Sequence, residues 1–398
     1  MGYIATTFAH GNGPYSRCME WAIAVNDVRE EKGLKRLPIL IPLVYPGRQE
    51  RIMKEEIQTN MPQDFLKEHP QEILLDKKYG ELLAELMFKS ADYEENLNLL
   101  ANQYSGIEDS VRKHLDGLRI VSTLDSKESE LDLRDAEFQL GLNNRIQTGL
   151  PNQFYTAGGA GPFDEILERA IKDKEIKFSR ESMRKALPIA KRMIENQKII
   201  FSNDPGVFSY DSNRELRGNE TLTPPFIHTP KPDTTELPGN GIYLLMTGID
   251  GIRESKMYNA VMDLGMKLFA PAFSIKSLPE AIRKSVVELA PSKINNPYII
   301  AQYARAGWSS AWLSHLAEKG FLTPPYDPKD DPEMLFNERG IRKLKLGAIV
   351  ENNARGSLEE AIVLAQGTKD YNDRLLQKYG TLDGIRYAAE AVVDSFEK

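Results

Sequence analysis

Between Tyr298 and Glu351 one pattern occurs twice in succession, and it leaves few folds open. The apolar run Tyr298-Ile299-Ile300-Ala301 reads as the end of a buried strand. Arg305-Ala306-Gly307 reads as a tight turn, and Trp308-Ser309-Ser310-Ala311-Trp312-Leu313 starts a helix that ends at Gly320. A second strand, Phe321-Leu322-Thr323, leads through Pro324-Pro325 into an acidic loop from Tyr326 to Glu333. A second helix runs from Met334 to Leu346, closed by Gly347 ahead of Ala348-Ile349-Val350. Strands alternating with helices in this way build a parallel sheet with helices on its faces.

Ligands of such sheets bind beyond the carboxyl ends of the strands, where both loops of this unit sit. The loop Arg305–Ser310 offers Gly307 for close backbone approach, the hydroxyls of Ser309 and Ser310, and the N–H groups of a helix start. Those groups and the helix dipole suit a phosphate. Arg305 adds a forked cation matched to phosphate oxygens. Ser309 and Ser310 equally suit a capping role, and Trp308 and Trp312 suit the core. In the second loop, Asp327, Asp330, Asp331 and Glu333 suit hydrogen bonds from sugar hydroxyls. A diphosphate beside a polyol is what a nucleotide sugar presents.

The segment resembles the donor-binding box of GT-B nucleotide-sugar glycosyltransferases. There a His-X-Gly-Gly or His-Cys-Gly-Trp-Asn-Ser turn opens a helix. A strand, a Pro-rich loop, an acidic residue, Gln, and a helix ending in Leu-Gly follow. Gly307-Trp308, Ser310, Pro324-Pro325, Phe336-Asn337 and Leu346-Gly347 match. Arg305 stands where the family has His, Leu313 where a Glu usually grips the ribose, and Met334 where Gln is usual. The resemblance implies an α/β chain of two facing doubly wound, Rossmann-like domains. It also implies that Asp331, Glu333 and Asn337 meet the sugar, and that Gly11, Gly13, Gly248, Arg305, Gly307, Ser309 and Ser310 meet the diphosphate.

The rest of the chain is read on that plan. Tyr3–Ala9 is a first strand, His10–Arg17 a Gly-rich turn, Ser16–Lys32 a helix and Leu37–Val44 a strand apolar on both faces. Residues 47–58 and 78–116 read as charged helices, a helical insertion with no evident chemistry. From Ser212 to Gly241 the pattern gives way to Pro, Thr, Asn and Gly, as an interdomain linker does. The expected division is 1–212 for a first, acceptor-side domain, 213–240 for the linker and 241–380 for a donor-binding domain. Residues 381–398 are expected to form a helix crossing back to the first domain. After the linker, Ile242–Thr247 restarts a strand, and Gly248-Ile249-Asp250-Gly251 is its turn.

At 398 residues, 41% hydrophobic and 27% charged, the chain has the composition of a two-domain globular protein. A net charge of −7 argues against nucleic acid as a partner. One cysteine, Cys18, excludes an internal disulfide framework and a thiolate zinc site. No apolar run is long enough to span a bilayer, and no signal peptide is read at the N-terminus. The expectation is a cytoplasmic protein, with room for peripheral membrane contact. No metal site is expected, because Asp327–Asp331 lacks EF-hand spacing and no histidine pair has ligand spacing. No cofactor is expected beyond the nucleotide sugar as co-substrate.

Moving a sugar to an acceptor hydroxyl requires a base, and His10, directly after the first strand, is the candidate. His228, in the linker, is a second histidine able to face a cleft, whereas His69, His114 and His315 read as ordinary helix or loop residues. The expected activity is metal-independent glycosyl transfer from a nucleoside-diphosphate sugar. Two alternatives stay open: a nucleotide-sugar hydrolase or epimerase of the same fold, and a non-catalytic binding protein.

Overall fold

The computed structural model describes residues 2–8, 12–45, 47, 68–69, 71–87, 92–116, 119–123, 128–131, 135–142, 152–158, 161–204, 215–245, 256–275, 278–351 and 353–396. The first half carries strands β1 (Gly2–Phe8), β2 (Ile39–Pro42), β3 (Ile73–Asp76), β4 (Arg119–Thr123), β5 (Glu128–Leu131), β6 (Asp135–Leu142), β7 (Gln153–Gly158), β8 (Ile199–Asn203) and β9 (Glu220–Thr223). Its helices are α1 (Asn12–Glu31), α2 (Lys77–Met87), α3 (Tyr93–Leu115), α4 (Phe163–Lys172) and α5 (Arg180–Glu195). The second half carries β10 (Gly241–Leu245), β11 (Lys267–Ala270), β12 (Val286–Glu288), β13 (Ile299–Ala304), β14 (Gly320–Thr323) and β15 (Ala348–Ile349). Its longer helices are α6 (Lys256–Asp263), α7 (Trp308–Leu316), α8 (Pro332–Leu344), α9 (Ala354–Ala365), α10 (Thr368–Tyr379) and α11 (Gly384–Asp394).

Among the described residues the strands form two sheets, ordered β5-β4-β3-β2-β1-β6-β7-β8-β9 and β12-β11-β10-β13-β14-β15. All pairings of the second sheet are parallel. In the first, only β4 is reversed, pairing antiparallel with both β3 and the edge strand β5. The parallel strands β2, β3 and β14 are buried at every position, as strands covered on both faces must be. In each sheet the order reverses beside the first strand: between β1 and β6, and between β10 and β13. Such switch points leave a crevice at the carboxyl ends of the strands. Helix α1 follows β1 at one of them, and the 305–307 loop follows β13 at the other.

Several boundaries differ from the sequence reading. Helix α1 begins at Asn12, so Gly13 and Pro14 belong to its first turn; proline is tolerated there because that N–H has no helical partner. The Pro-rich stretch from 213 to 240 is not all connection: Glu220–Thr223 pairs with β8 as the ninth strand of the first sheet. Helix α8 starts at Pro332, with Asp331 as its side-chain cap, two residues before Met334. It stops at Lys345, whose φ of 53° is left-handed, and not at Gly347. Gly347 serves a close approach instead, because a Cβ there would lie 2.6 Å from the Phe321 carbonyl oxygen. Helical residues expected at 48–58 lie outside the described residues.

The halves are tied together by side chains far apart in sequence. Asp204, just past β8, accepts from Lys378 Nζ at 2.5 Å and Tyr379 Oη at 2.8 Å, both on α10. Helix α11 packs on α1, where Arg386 Nη1 donates to Glu31 Oε1 at 2.8 Å. Phe226 lies edge-on between Trp21 of α1, at 5.1 Å, and Trp308 of α7, at 6.4 Å. Among the described residues no helix is long and apolar enough to cross a membrane.

Candidate active site

The site begins where β13 runs out. The strand continues to Ala304, further than its apolar run indicates, and delivers Arg305 to the sheet's carboxyl edge. Gly307 N–H donates back to Arg305 O at 2.7 Å, closing the turn, and Gly307 then caps α7 through its backbone alone. Ser309 and Ser310 thus lie in the first turn and do not cap it. Trp308 and Trp312 are core residues. Gly307 has φ −78°, and a Cβ there would meet no atom of the described residues within 4 Å, so nothing among those residues demands glycine. What the missing side chain leaves is an open approach to the backbone of a helix start.

A second helix start meets this one. A Cβ on Gly13 would lie 3.6 Å from Ser309 Oγ, so the first turns of α1 and α7 touch. Neither first turn carries an acidic residue. The positive ends of two helix dipoles therefore converge without a carboxylate of their own. Ser309 Oγ is buried there with no hydrogen-bond partner among the described residues.

The acidic loop closes the site from the side of β14. Arg305 pairs with Asp330, and the two side chains are 29% and 16% exposed. Burial lowers the Arg305 pKa from its ordinary value, opposed by the fields of Asp331 and Glu333. Arg305 Nε is buried without a partner among the described residues. The loop is rigidly braced: Tyr326 Oη donates to Asp330 O at 3.0 Å, and Tyr326 N–H to Glu338 Oε2 at 2.7 Å. Asp331 Oδ1 accepts from Glu333 N–H at 2.9 Å as the cap of α8. Asn337 is fully buried; its Nδ2 donates to Ala306 O at 2.8 Å and to Glu333 Oε1 at 3.3 Å. Asn337 thereby fixes both the turn after β13 and the orientation of Glu333.

The structure thus assembles Gly13, Arg305, Gly307, Ser309, Ser310, Asp331, Glu333 and Asn337 around one rim. His10, Gly11, Gly248 and Asp250 lie outside the described residues. Of the acids expected to take sugar hydroxyls, Asp330 is engaged by Arg305, and Asp327 Oδ1 accepts from Lys329 N–H at 2.9 Å. Sequence reasoning missed the Asn337–Ala306 tie and the Arg305–Asp330 pair, because each joins the turn after β13 to a residue distant along the chain. No described group of His, Cys, Asp and Glu is arranged to hold a metal ion.

Other histidines are placed plainly. His228 Nδ1 lies 2.8 Å from Asp383 Oδ2. Burial pulls its pKa down, but the Asp383 hydrogen bond and the nearby Glu20 carboxylate raise it overall. His315 is buried, which pushes its pKa down to about 3. His114 Nε2 lies 2.7 Å from Asp76, which also accepts from Tyr79 N–H at the start of α2.

No family model and no curated protein sequence matches the chain. Its fold is similar over its whole length to that of a UDP-glucosyltransferase from Polygonum tinctorium capable of glucosylating indoxyl. That likeness has TM-score 0.61 and 12% identity, covering 100% of this chain and 98% of that one. It is similar to the calicheamicin glycosyltransferase CalG4, with TM-score 0.58, 11% identity and coverage of 100% and 98%. It is also similar to a UGT transferase from Siraitia grosvenorii solved with UDP, with TM-score 0.58, 11% identity and coverage of 100% of both chains. The chain has the GT-B architecture, two Rossmann-like α/β domains.

Proposed function

We propose that the protein is a glycosyltransferase that takes a sugar from a nucleoside-diphosphate sugar and passes it to an acceptor hydroxyl. The observation that carries this is the meeting of two acid-free helix starts at Gly13 and Ser309, beside Arg305. A diphosphate supplies the negative charge that this convergence calls for. Neighbours in fold space support the choice: one was solved with UDP, and another is a UDP-glucosyltransferase capable of glucosylating indoxyl.

In this reading Gly11, Gly13, Gly248, Gly307, Ser309 and Ser310 receive the diphosphate, and Arg305 pairs with its oxygens. Asp331 and Glu333 take sugar hydroxyls, with Asn337 orienting Glu333. The acceptor oxygen attacks the anomeric carbon, and the bond to the diphosphate breaks with its electron pair leaving on the phosphate oxygen. His10, two residues beyond β1, takes the acceptor proton. Backbone N–H groups and Arg305 meet the leaving charge, so the reaction runs without a metal. Residues 1–212 hold the acceptor and 241–380 the donor, in a cytoplasmic protein that does not bind nucleic acid.

The test is a thermal-shift panel of nucleoside diphosphates and their sugars on wild type and Arg305→Ala. A ligand at a hundredfold excess over its dissociation constant stabilises by about 2.7 kcal/mol. A shift with one nucleotide that vanishes in the variant supports the reading. No shift with any member of the panel overturns it.

A further inference from the structure

One histidine of the first half is built into a dyad that the proposed transfer does not use. Asp76 is the last residue of β3 and is fully buried. Its Oδ1 accepts from Tyr79 N–H at 2.9 Å, and its Oδ2 lies 2.7 Å from Nε2 of His114, near the end of α3. Both helices are pinned to β1: Tyr79 Oη donates to Thr6 O at 2.9 Å, and Tyr3 Oη donates to Leu115 O at 3.0 Å. The carboxylate fixes the ring and its tautomer, so Nε2 carries the proton and Nδ1 keeps a lone pair. Nδ1 has no hydrogen-bond partner among the described residues, and the His114 side chain is 19% exposed. The strand registers set Asp76 level with Thr7, near the carboxyl end of β1. Two strand spacings, about 10 Å, separate them.

We propose that His114 is an acceptor-recognition residue: its Nδ1 accepts a hydrogen bond from a second hydroxyl of an elongated acceptor whose first hydroxyl is glycosylated over the end of β1. The inference rests on the glycosyltransferase reading above and names the class of acceptor. The donor side of the crevice is fixed at the carboxyl edge of the first sheet, where Gly13 meets Ser309. The dyad lies at the same edge, two strands to the side, so the acceptor that fits is a rod with hydroxyls about 10 Å apart. A ring already held by Asp76 loses little freedom when it binds. An acceptor without the far hydroxyl leaves Nδ1 unpaired in a largely buried place, and a polar site rejects its apolar analogue in this way.

The experiment compares 4,4′-dihydroxybiphenyl with 4-hydroxybiphenyl as acceptors, with UDP-glucose as the first donor and the other common nucleotide sugars after it. It reads KM for donor and acceptor separately in wild type, His114→Gln and His114→Asn, with a melting curve for each. A Gln amide reaches the Nε2 position and keeps a donor for Asp76, but places nothing at Nδ1. An Asn amide occupies the Nδ1 position and gives up the Asp76 tie. Wild type is expected to favour the diol by about tenfold in acceptor KM, the scale of one hydrogen bond. In His114→Gln that preference is expected to fall to what two equivalent hydroxyls give by statistics, with the donor KM of wild type, and His114→Asn is expected to retain more of it. If wild type shows no preference beyond statistics, if His114→Gln keeps it, or if His114→Asn loses more of it than His114→Gln, the dyad serves structure alone and the inference is wrong while the donor site stands. Transfer to neither biphenyl from a nucleotide sugar that does bind also overturns it. If wild type binds no nucleotide sugar, the glycosyltransferase reading itself is wrong and this inference falls with it.

Discussion

Helices α1 and α7 start at matching switch points of their sheets, yet each handles its nearest cation differently. On α1, Arg17 pairs with Glu20 one turn along the same helix. Beside α7, Arg305 pairs with Asp330, 25 residues away on another loop. The first pair is local to a helix face, and Glu20 is 1% exposed, so opening it strands a buried carboxylate. The second joins two loops at the rim of a crevice, where a ligand can replace one partner without unwinding a helix. An ion pair held within one element serves stability, whereas one held between loops is available for exchange.

The sharpest way to break this contrast is to remove each cation. Arg305→Ala is expected to weaken nucleoside-diphosphate binding by about 2–5 kcal/mol, measured by calorimetry. Arg17→Ala is expected instead to lower the melting temperature and leave nucleotide affinity alone; equal losses of affinity would erase the distinction.

Next in size are two structural supports of the second sheet and its loops. Gly347→Ala places a Cβ against the Phe321 carbonyl and should cost about 1–3 kcal/mol in chemical denaturation, as overpacking does. Asn337→Ala leaves the Ala306 carbonyl without its donor, at a cost of about 1–3 kcal/mol, and should also loosen the nucleotide. Unchanged affinity in a destabilised Asn337→Ala would show that the turn holds its shape without this tie.

A smaller effect belongs to the α1 side. His228 pairs with Asp383 and faces Glu20 and Arg17, and its folded pKa is raised. A raised pKa means that the proton stabilises the fold. This contribution is fully present below the unfolded value of about 6.5 and is lost as pH rises through the higher folded value. The gap in melting temperature between wild type and His228→Gln should therefore be widest in mild acid and narrow as pH rises. A gap constant with pH would assign His228 a neutral packing role. The smallest effect concerns Cys18, whose thiol donates to Thr7 O at 3.3 Å and is pushed up to about 12 by burial. A thiol reagent should leave it untouched until the protein unfolds.

The fold was largely legible because it rests on short-range pattern. Apolar runs, glycine turns and amphipathic helices mark a doubly wound chain wherever they alternate, and the strand read at Phe321–Thr323 starts only one residue earlier, at Gly320. Errors fell where tertiary pairing overrides composition. Glu220-Thr221-Leu222-Thr223 has too few apolar residues to announce a strand, but β8 supplies its ladder. Gly347 looked like a helix stop, because a glycine needed for close approach has the same letter as one needed for a turn.

For the candidate site, residue types and spacing alone placed Arg305, Gly307 and Ser309 at the end of a strand and the start of a helix. That follows from backbone geometry, since a turn after a parallel strand can only emerge at the sheet's carboxyl edge. Only the tertiary structure decided that Gly13 meets Ser309, that Asn337 holds Ala306, and that Asp330 already occupies Arg305. Those contacts depend on how two sheets and two loops are brought together. Burial and charge pairing across such distances leave no periodic trace along the chain.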